Sequence, residues 1–175
     1  MSNIFIMLRN TLYLGLLCSL PACGFTPMYG VPDSSPQNSV AASLAQVEIA
    51  IIPDRSGQVL RNDLLDRFYT DGYPSAPLYK LSVDALTELR SDLDITKSSE
   101  ATRSQLRLTS KMTLQDNQGL VIAARNLSAI ASFNVLQSEF ATRVTEESAR
   151  QNALHDLARQ IELNVVLALK QQKQK

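Results

Sequence analysis

Apolar and polar residues alternate over 44–52, with Ala45, Val47, Ile49 and Ile51 on one side and Gln46 and Glu48 on the other, predicting a strand with one buried face. Pro53 ends it. Asp54 or Ser56 is placed to cap a helix, and Leu60, Leu64 and Phe68 then recur every four residues with Arg61, Asp63 and Arg67 between them. Asp71-Gly72-Tyr73-Pro74 closes that helix, because glycine accepts the left-handed cap conformation and proline cannot continue the ladder. Tyr79, Leu81, Val83 and Ala85 alternate with Lys80, Ser82 and Asp84 in a second strand that runs to about Leu89, and the polar, acidic segment 90–100 reads as a loop. A third strand over 102–115 has a clean period of two: Leu106, Leu108, Met112 and Leu114 face one way, Arg103, Arg107, Lys111 and their polar neighbours the other. Asp116-Asn117-Gln118-Gly119 is a hairpin turn, and the fourth strand, 120–133, slips in its alternation over 125–129, where a bulge is expected. In the last thirty or so residues Leu154, Leu157, Ile161, Val165 and Ala168 keep helical spacing without Gly or Pro. The order β-α-β-β-β-α predicts an α+β two-layer sandwich, a four-stranded, mostly antiparallel sheet covered on one face by two helices.

Ahead of this pattern stands one of a different kind. Arg9 is followed by an apolar run to Leu20 and then Pro21-Ala22-Cys23, the layout of a secretory signal. The run is roughly a dozen residues, short of the ~20 that a membrane-spanning helix needs. Leu20-Pro21-Ala22-Cys23 resembles a bacterial lipobox, with Pro21 a mild departure from the usual small residue; an ordinary signal with an incidental cysteine is the plainer alternative. Residues 1–22 are thus expected to be removed and Cys23 to be lipidated, with a diacylglycerol on sulfur and an N-acyl chain, and no aspartate follows Cys23 to divert it from the outer membrane. Cys18 leaves with the signal, so the mature chain offers no thiol for a disulfide or a nucleophile. Residues 23–43, rich in Pro, Gly and small polar residues, read as a flexible tether with a reach of ~25 Å, although Phe25, Met28 and Tyr29 are more apolar than a tether requires. Residues 44–170 make one domain, and 171–175 a disordered tail.

Charge and chemistry narrow the function. Seventeen basic groups balance 17 acidic ones in 175 residues, so no global field attracts a polyanion and bulk nucleic-acid binding is not expected. With His155 the sole histidine and two cysteines, neither a multi-histidine metal centre nor a thiolate cluster can be built, and no metal or other cofactor is expected. His155 with Asp156 and Ser148 evokes a hydrolase triad, but adjacent helix residues point ~100° apart and no Gly-x-Ser-x-Gly elbow is present, so a solvated histidine is the better reading. Glu88, Asp92, Asp94 and Glu100 lack the calcium-loop pattern and read as solvated acids; Gly57 in Asp54-Arg55-Ser56-Gly57-Gln58 is too little for a phosphate loop. There remains the basic ladder Arg103, Arg107 and Lys111 on the polar face of the third strand, spaced at ~13 Å intervals suited to several phosphates on one amphiphile. Arg90, Lys97 and Arg125 could add to it. Composition alone favours an ordinary solvated sheet face.

Cys23 followed by Gly24-Phe25-Thr26-Pro27-Met28-Tyr29-Gly30, then Ile52-Pro53-Asp54-Arg55-Ser56-Gly57-Gln58 with Leu60-Arg61-Asn62, resembles the alphaproteobacterial branch of the lipopolysaccharide-assembly lipoprotein family LptE. Ser132-Phe133-Asn134-Val135, Phe140-Ala141 and Arg150-Gln151-Asn152-Ala153-Leu154 resemble its closing strand and helix. The resemblance implies a protein without catalytic activity, anchored on the periplasmic side of the outer membrane, that plugs and stabilises the β-barrel LptD and contacts lipopolysaccharide. It tips the ladder of Arg103, Arg107 and Lys111 towards binding lipid A and core phosphates. An envelope lipoprotein acting as a small-ligand binder or hydrolase is the alternative.

Overall fold

The computed structural model describes residues 40–70, 72–95 and 101–173. The signal segment, Cys23, most of the tether and Lys97 lie outside the described residues. Among the described residues eight elements follow in order: α1 (Val40–Leu44), β1 (Val47–Ile49), α2 (Asp54–Phe68), β2 (Tyr79–Val83), β3 (Thr87–Ile95), β4 (Ala101–Asp116), β5 (Val121–Asn134) and α3 (Glu139–Lys173). Among the described residues no helix is long and apolar enough to cross a membrane.

The sheet is organised around β4. Along one side β5 pairs antiparallel with it, from Arg103↔Asn134 to Gln115↔Val121. Along the other side β3 pairs with its first half and β2 with its last residues, both antiparallel, and β1 joins β2 in parallel through the α2 crossover. The predicted α+β sandwich is therefore present with five strands. The additional strand arises because the second strand is broken at 84–86, where the Asp84 carbonyl accepts from Ser110 Oγ at 2.7 Å while the Asp84 N–H donates to the Lys111 carbonyl at 2.9 Å.

Even-numbered β4 residues form the floor of the core. Leu106, Leu108, Met112 and Leu114 are all fully buried, as are Leu60, Leu64 and Phe68 of α2 and Leu157, Ile161 and Val165 of α3. Each such side chain contributes ~1.5–3 kcal/mol relative to exposure. Opposite Leu106 and Leu108 stand Ala131 and Ala129, small residues beneath α3, which packs mainly on β5. Gly57 is buried in the first turns of α2, where a Cβ would lie 2.8 Å from Ile52 Cγ2; it is a packing glycine and forms no phosphate loop.

Several expectations need correction. The polar segment 90–100 is not a loop over its described part, since β3 continues to Ile95; an edge strand exposed on both faces shows no apolar period to reveal it. No bulge occurs over 125–129. The β4–β5 register runs unbroken there and shifts only between Leu114 and Gln115, so Arg125 takes a helix-side position opposite Met112 and its long side chain reaches out to water. The first strand shrinks to Val47–Ile49 because Leu44 ends the short helix α1, which also occupies the last residues of the expected tether. Neither Asp54 nor Ser56 caps α2: Pro53 is the N-cap, and the chain enters the helix through Asp54 at φ 66°, a left-handed conformation aspartate tolerates. Tyr69, not 71–74, caps its C-terminus, with Gly72 at φ 107° beyond it. α3 runs on to Lys173, into the expected tail.

Candidate functional site

The odd-numbered residues of β4 point away from both helices onto an open sheet face. Arg103, Arg107 and Lys111 are all exposed there, and none of the three forms an ion pair with a described side chain. Cross-strand register fixes what flanks them. Arg107 lies between Leu89 of β3 and Ile130 of β5, which are 59% and 49% exposed, so one rung carries a cation between two uncovered apolar groups. Arg103 stands in register between Asp94 of β3 and Asn134 of β5, and Lys111 opposite Asn126. Where β2 breaks from β3, a shallow depression of about 370 Å³ opens, whose lining includes Asp84, Thr87, Thr109, Lys111, Asn126 and Ser128. The surface is thus a row of exposed cations set among hydroxyls, amides and isolated apolar side chains, with Asp94 in register with Arg103 and Asp84 beside Lys111. It offers anion pairing with adjoining apolar contact and no nucleophile–base arrangement.

Of the other cations expected to extend this patch, Arg90 and Arg125 lie on the opposite face, and Lys97 is outside the described residues. Arg90 pairs in register with Leu106 and so belongs to the helix face, where its guanidinium lies 5.2 Å from the Phe133 ring centroid and 3.1 Å from Glu146 of α3. Arg125 is likewise on the helix side of β5 and donates to the Ala124 carbonyl at 3.0 Å. Strand parity decides both cases: each lies opposite an even-numbered β4 residue, whereas the ladder is odd.

On the helix side Arg150 of α3 grips Glu88 of β3 through two hydrogen bonds of 2.9 and 2.8 Å and also engages Glu146 and Glu147. Arg150 holds the Glu88 carboxyl below the usual carboxylate range, against the opposing effect of burial. Ser104, fully buried within the apolar β4 face, donates to Asp92 Oδ1 at 2.6 Å. So Glu88 and Asp92, expected to be solvated acids, tie the edge strand to α3 and β4. Spacing hints at part of this, since Glu146 and Glu147 stand four and three residues before Arg150, but nothing local points to Glu88 across 62 residues. His155 is largely exposed, as expected, yet its Nδ1 lies 2.7 Å from Oδ2 of Asp63, which also accepts from Arg67 at 2.8 Å. That pairing joins the two helices and leaves Asp156 to Arg159 and Gln160, whose hydrogen bonds hold its carboxyl low. Among the described residues no group of His, Cys, Asp and Glu side chains is arranged to hold a metal.

A family model described as LptE, lipopolysaccharide-assembly, matches residues 44–165, from the last turn of α1 through most of α3. The chain belongs to the LptE family. As a member of that family it is a lipopolysaccharide-assembly lipoprotein and not an enzyme. The LptE-type domain is similar in structure to a minor lipoprotein from Acinetobacter baumannii, with 25% identity, a TM-score of 0.55, and 70% of this chain and 92% of that one covered. It is also similar to the rare lipoprotein B of Shewanella oneidensis, at 8% identity and a TM-score of 0.58 over 74% of this chain and 98% of that one, a likeness of fold alone. No curated protein sequence matches the chain.

Proposed function

We propose that this LptE-family domain is an outer-membrane plug: anchored on the periplasmic side by acyl chains on Cys23, it sits in and stabilises the LptD barrel and presents the open sheet face to passing lipopolysaccharide. Arg103, Arg107 and Lys111 pair with lipid A and core phosphates, while Leu89 and Ile130 beside Arg107 meet the edge of the acyl region. The observation that carries this reading is that these three exposed cations line one strand face and have no ion-pair partner among the described side chains. A charge-assisted bond to phosphate is roughly twice as strong as a neutral one, and a row of such donors displaces bridging divalent ions. Arg90 and Arg125, on the other face, are left out of the contact; Lys97 lies outside the described residues.

Replacing Arg103, Arg107 and Lys111 together by glutamine in the full-length lipoprotein tests it. Affinity for purified lipopolysaccharide is expected to fall by about tenfold or more at low ionic strength, and the remaining binding to lose most of its salt dependence. Unchanged affinity and salt dependence would refute a role for the ladder. Purification from outer membranes without a large β-barrel would refute the plug.

A further inference from the structure

The sheet has three outer edges, and they are finished differently. At β1 the Tyr69 hydroxyl acts as a substitute strand, accepting from the Ile49 N–H at 3.3 Å and donating to the Val47 carbonyl at 2.6 Å, while Arg61 donates to the carbonyls of Ile49 and Ala50. Burial pushes the Tyr69 hydroxyl up, keeping it the proton donor this requires. β3 is irregular, with register shifts between Asp92 and Ile95, and carries Glu88, Arg90 and Asp92. Broken register and charge are the usual means of keeping an edge from recruiting another strand. β5 has neither safeguard over most of its length. It spans 14 residues, contains no proline, and has Arg125 as its sole charge.

Backbone direction on β5 follows from two bonds. The Val135 N–H donates to the Thr102 carbonyl, so odd residues face β4; the Ser128 carbonyl instead accepts from Gln160 of α3, so even residues face outward. Asn126, Ile130 and Ser132 therefore direct N–H and C=O away from the sheet, and among the described residues no strand pairs with them. The flank of α3 that supplies Gln160 continues through Leu163 and Leu167, which are 38% and 45% exposed and lie ~5–10 Å further along the helix. An added strand would cover them.

We infer that the outer edge of β5, with the Leu163–Leu167 flank of α3, is a strand-addition site for an extended segment of a partner polypeptide, apolar towards α3 and bearing a carboxylate opposite Arg125. The carboxylate follows from Arg125, which is exposed, lies on the helix side of this edge strand and has no ion-pair partner among the described residues. A second copy of this chain fits poorly: β5 contains no Asp or Glu, so two β5 strands side by side leave both arginines without a counter-charge. Backbone bonds supply affinity in such additions, and alternate side chains supply selectivity. The site is separate from the ladder on β4 and requires nothing about which polypeptide the partner is.

Photoreactive residues placed singly at Asn126 and Ser132 of the full-length lipoprotein in intact cells test it, with Ser91 on β3 as the comparison site and mass spectrometry of the adducts. Adducts from the two β5 positions are expected on one short segment of one partner, the attachment point moving in step with the probe as a paired strand requires, and absent from Ser91. Leu163→Glu with Leu167→Glu, both on an exposed helix flank, should lower those adducts by about tenfold; Asn126→Pro, which removes an outward N–H and leaves the β4 bonds in place, should do the same at Ser132. Adducts to a second copy, attachment points out of step, or yields unmoved by the leucine variants would each overturn the inference. An in-step partner that is not an outer-membrane barrel would uphold it while refuting the plug.

Discussion

Along β4, the even-numbered leucines and Met112 are sealed beneath two helices, while Arg103, Arg107 and Lys111, one residue out of phase, stand in water. Both sets are held in backbone ladders, the even residues bonding β5 and the odd ones β2 and β3, so the main difference lies in what each side chain meets. On the helix side, burial of apolar area holds the domain together and residue type is constrained by volume. On the open side nothing in the domain depends on the cations, and their alignment is free to serve a ligand. Leu108→Ala against Arg107→Gln is the widest test of that contrast. The first leaves a cavity under α3 and should lower the unfolding free energy by about 2–5 kcal/mol in urea titrations. The second should stay within about 0.5 kcal/mol. Comparable losses would mean that the open face carries part of the fold.

A smaller effect is expected where packing is limited by backbone and not by side-chain volume. At Gly57 an added Cβ would meet Ile52 Cγ2 at 2.8 Å and the Ile52 carbonyl carbon and oxygen at 3.1 Å. The methyl can turn aside; the carbonyl, at the entry to α2, cannot without moving Pro53 and Asp54. Alanine gains ~1 kcal/mol in helix propensity over glycine, so overpacking must exceed that for the variant to lose stability. Gly57→Ala is expected to be destabilised by about 1–2 kcal/mol net, read from the midpoint of thermal unfolding; a stabilised variant would show that the α2 entry yields.

What could be read in the sequence follows the same division. Wherever one face is buried and the other wet, as in β4, α2 and the middle of α3, period alone identified the element and its inward residues, and the α+β sandwich with two helices on one face followed. The misreadings fall where that contrast is missing. β3 is exposed on both faces and so resembled a loop, although its continuation is written in backbone pairing with β4. Arg125 occupies an inward position near the sheet margin, and a charged residue there imitates a bulge. Of the six cations proposed for one patch, the three on a single strand share a face because strand parity guarantees it, whereas Arg90 and Arg125 required cross-strand register, which a single sequence does not contain. The clasp of Arg150 on Glu88 belongs to the same class of long-range fact.

That clasp permits the finest test, since it concerns the join between the two kinds of surface. Glu88 projects from an edge strand with a 35% exposed side chain, and Arg150 meets it with paired hydrogen bonds from α3. Because these bonds hold the Glu88 carboxyl below its ordinary range, protons bind it more readily in the unfolded chain. The linked stabilisation is therefore complete above the ordinary glutamate value of about 4.3 and is shed as pH falls through the lower folded value. Solvent screening at a site this exposed keeps it to at most about 1 kcal/mol. Glu88→Gln should accordingly be less stable than the parent at pH 7 by that amount, and the gap should narrow on acidification to pH 3, as the parent's own carboxylate takes up protons. Paired urea titrations at the two pH values measure it. A gap of equal size at both would assign the loss to shape at the β3–α3 contact and not to charge, and β3 would then be held to α3 by packing, as the buried face of β4 is.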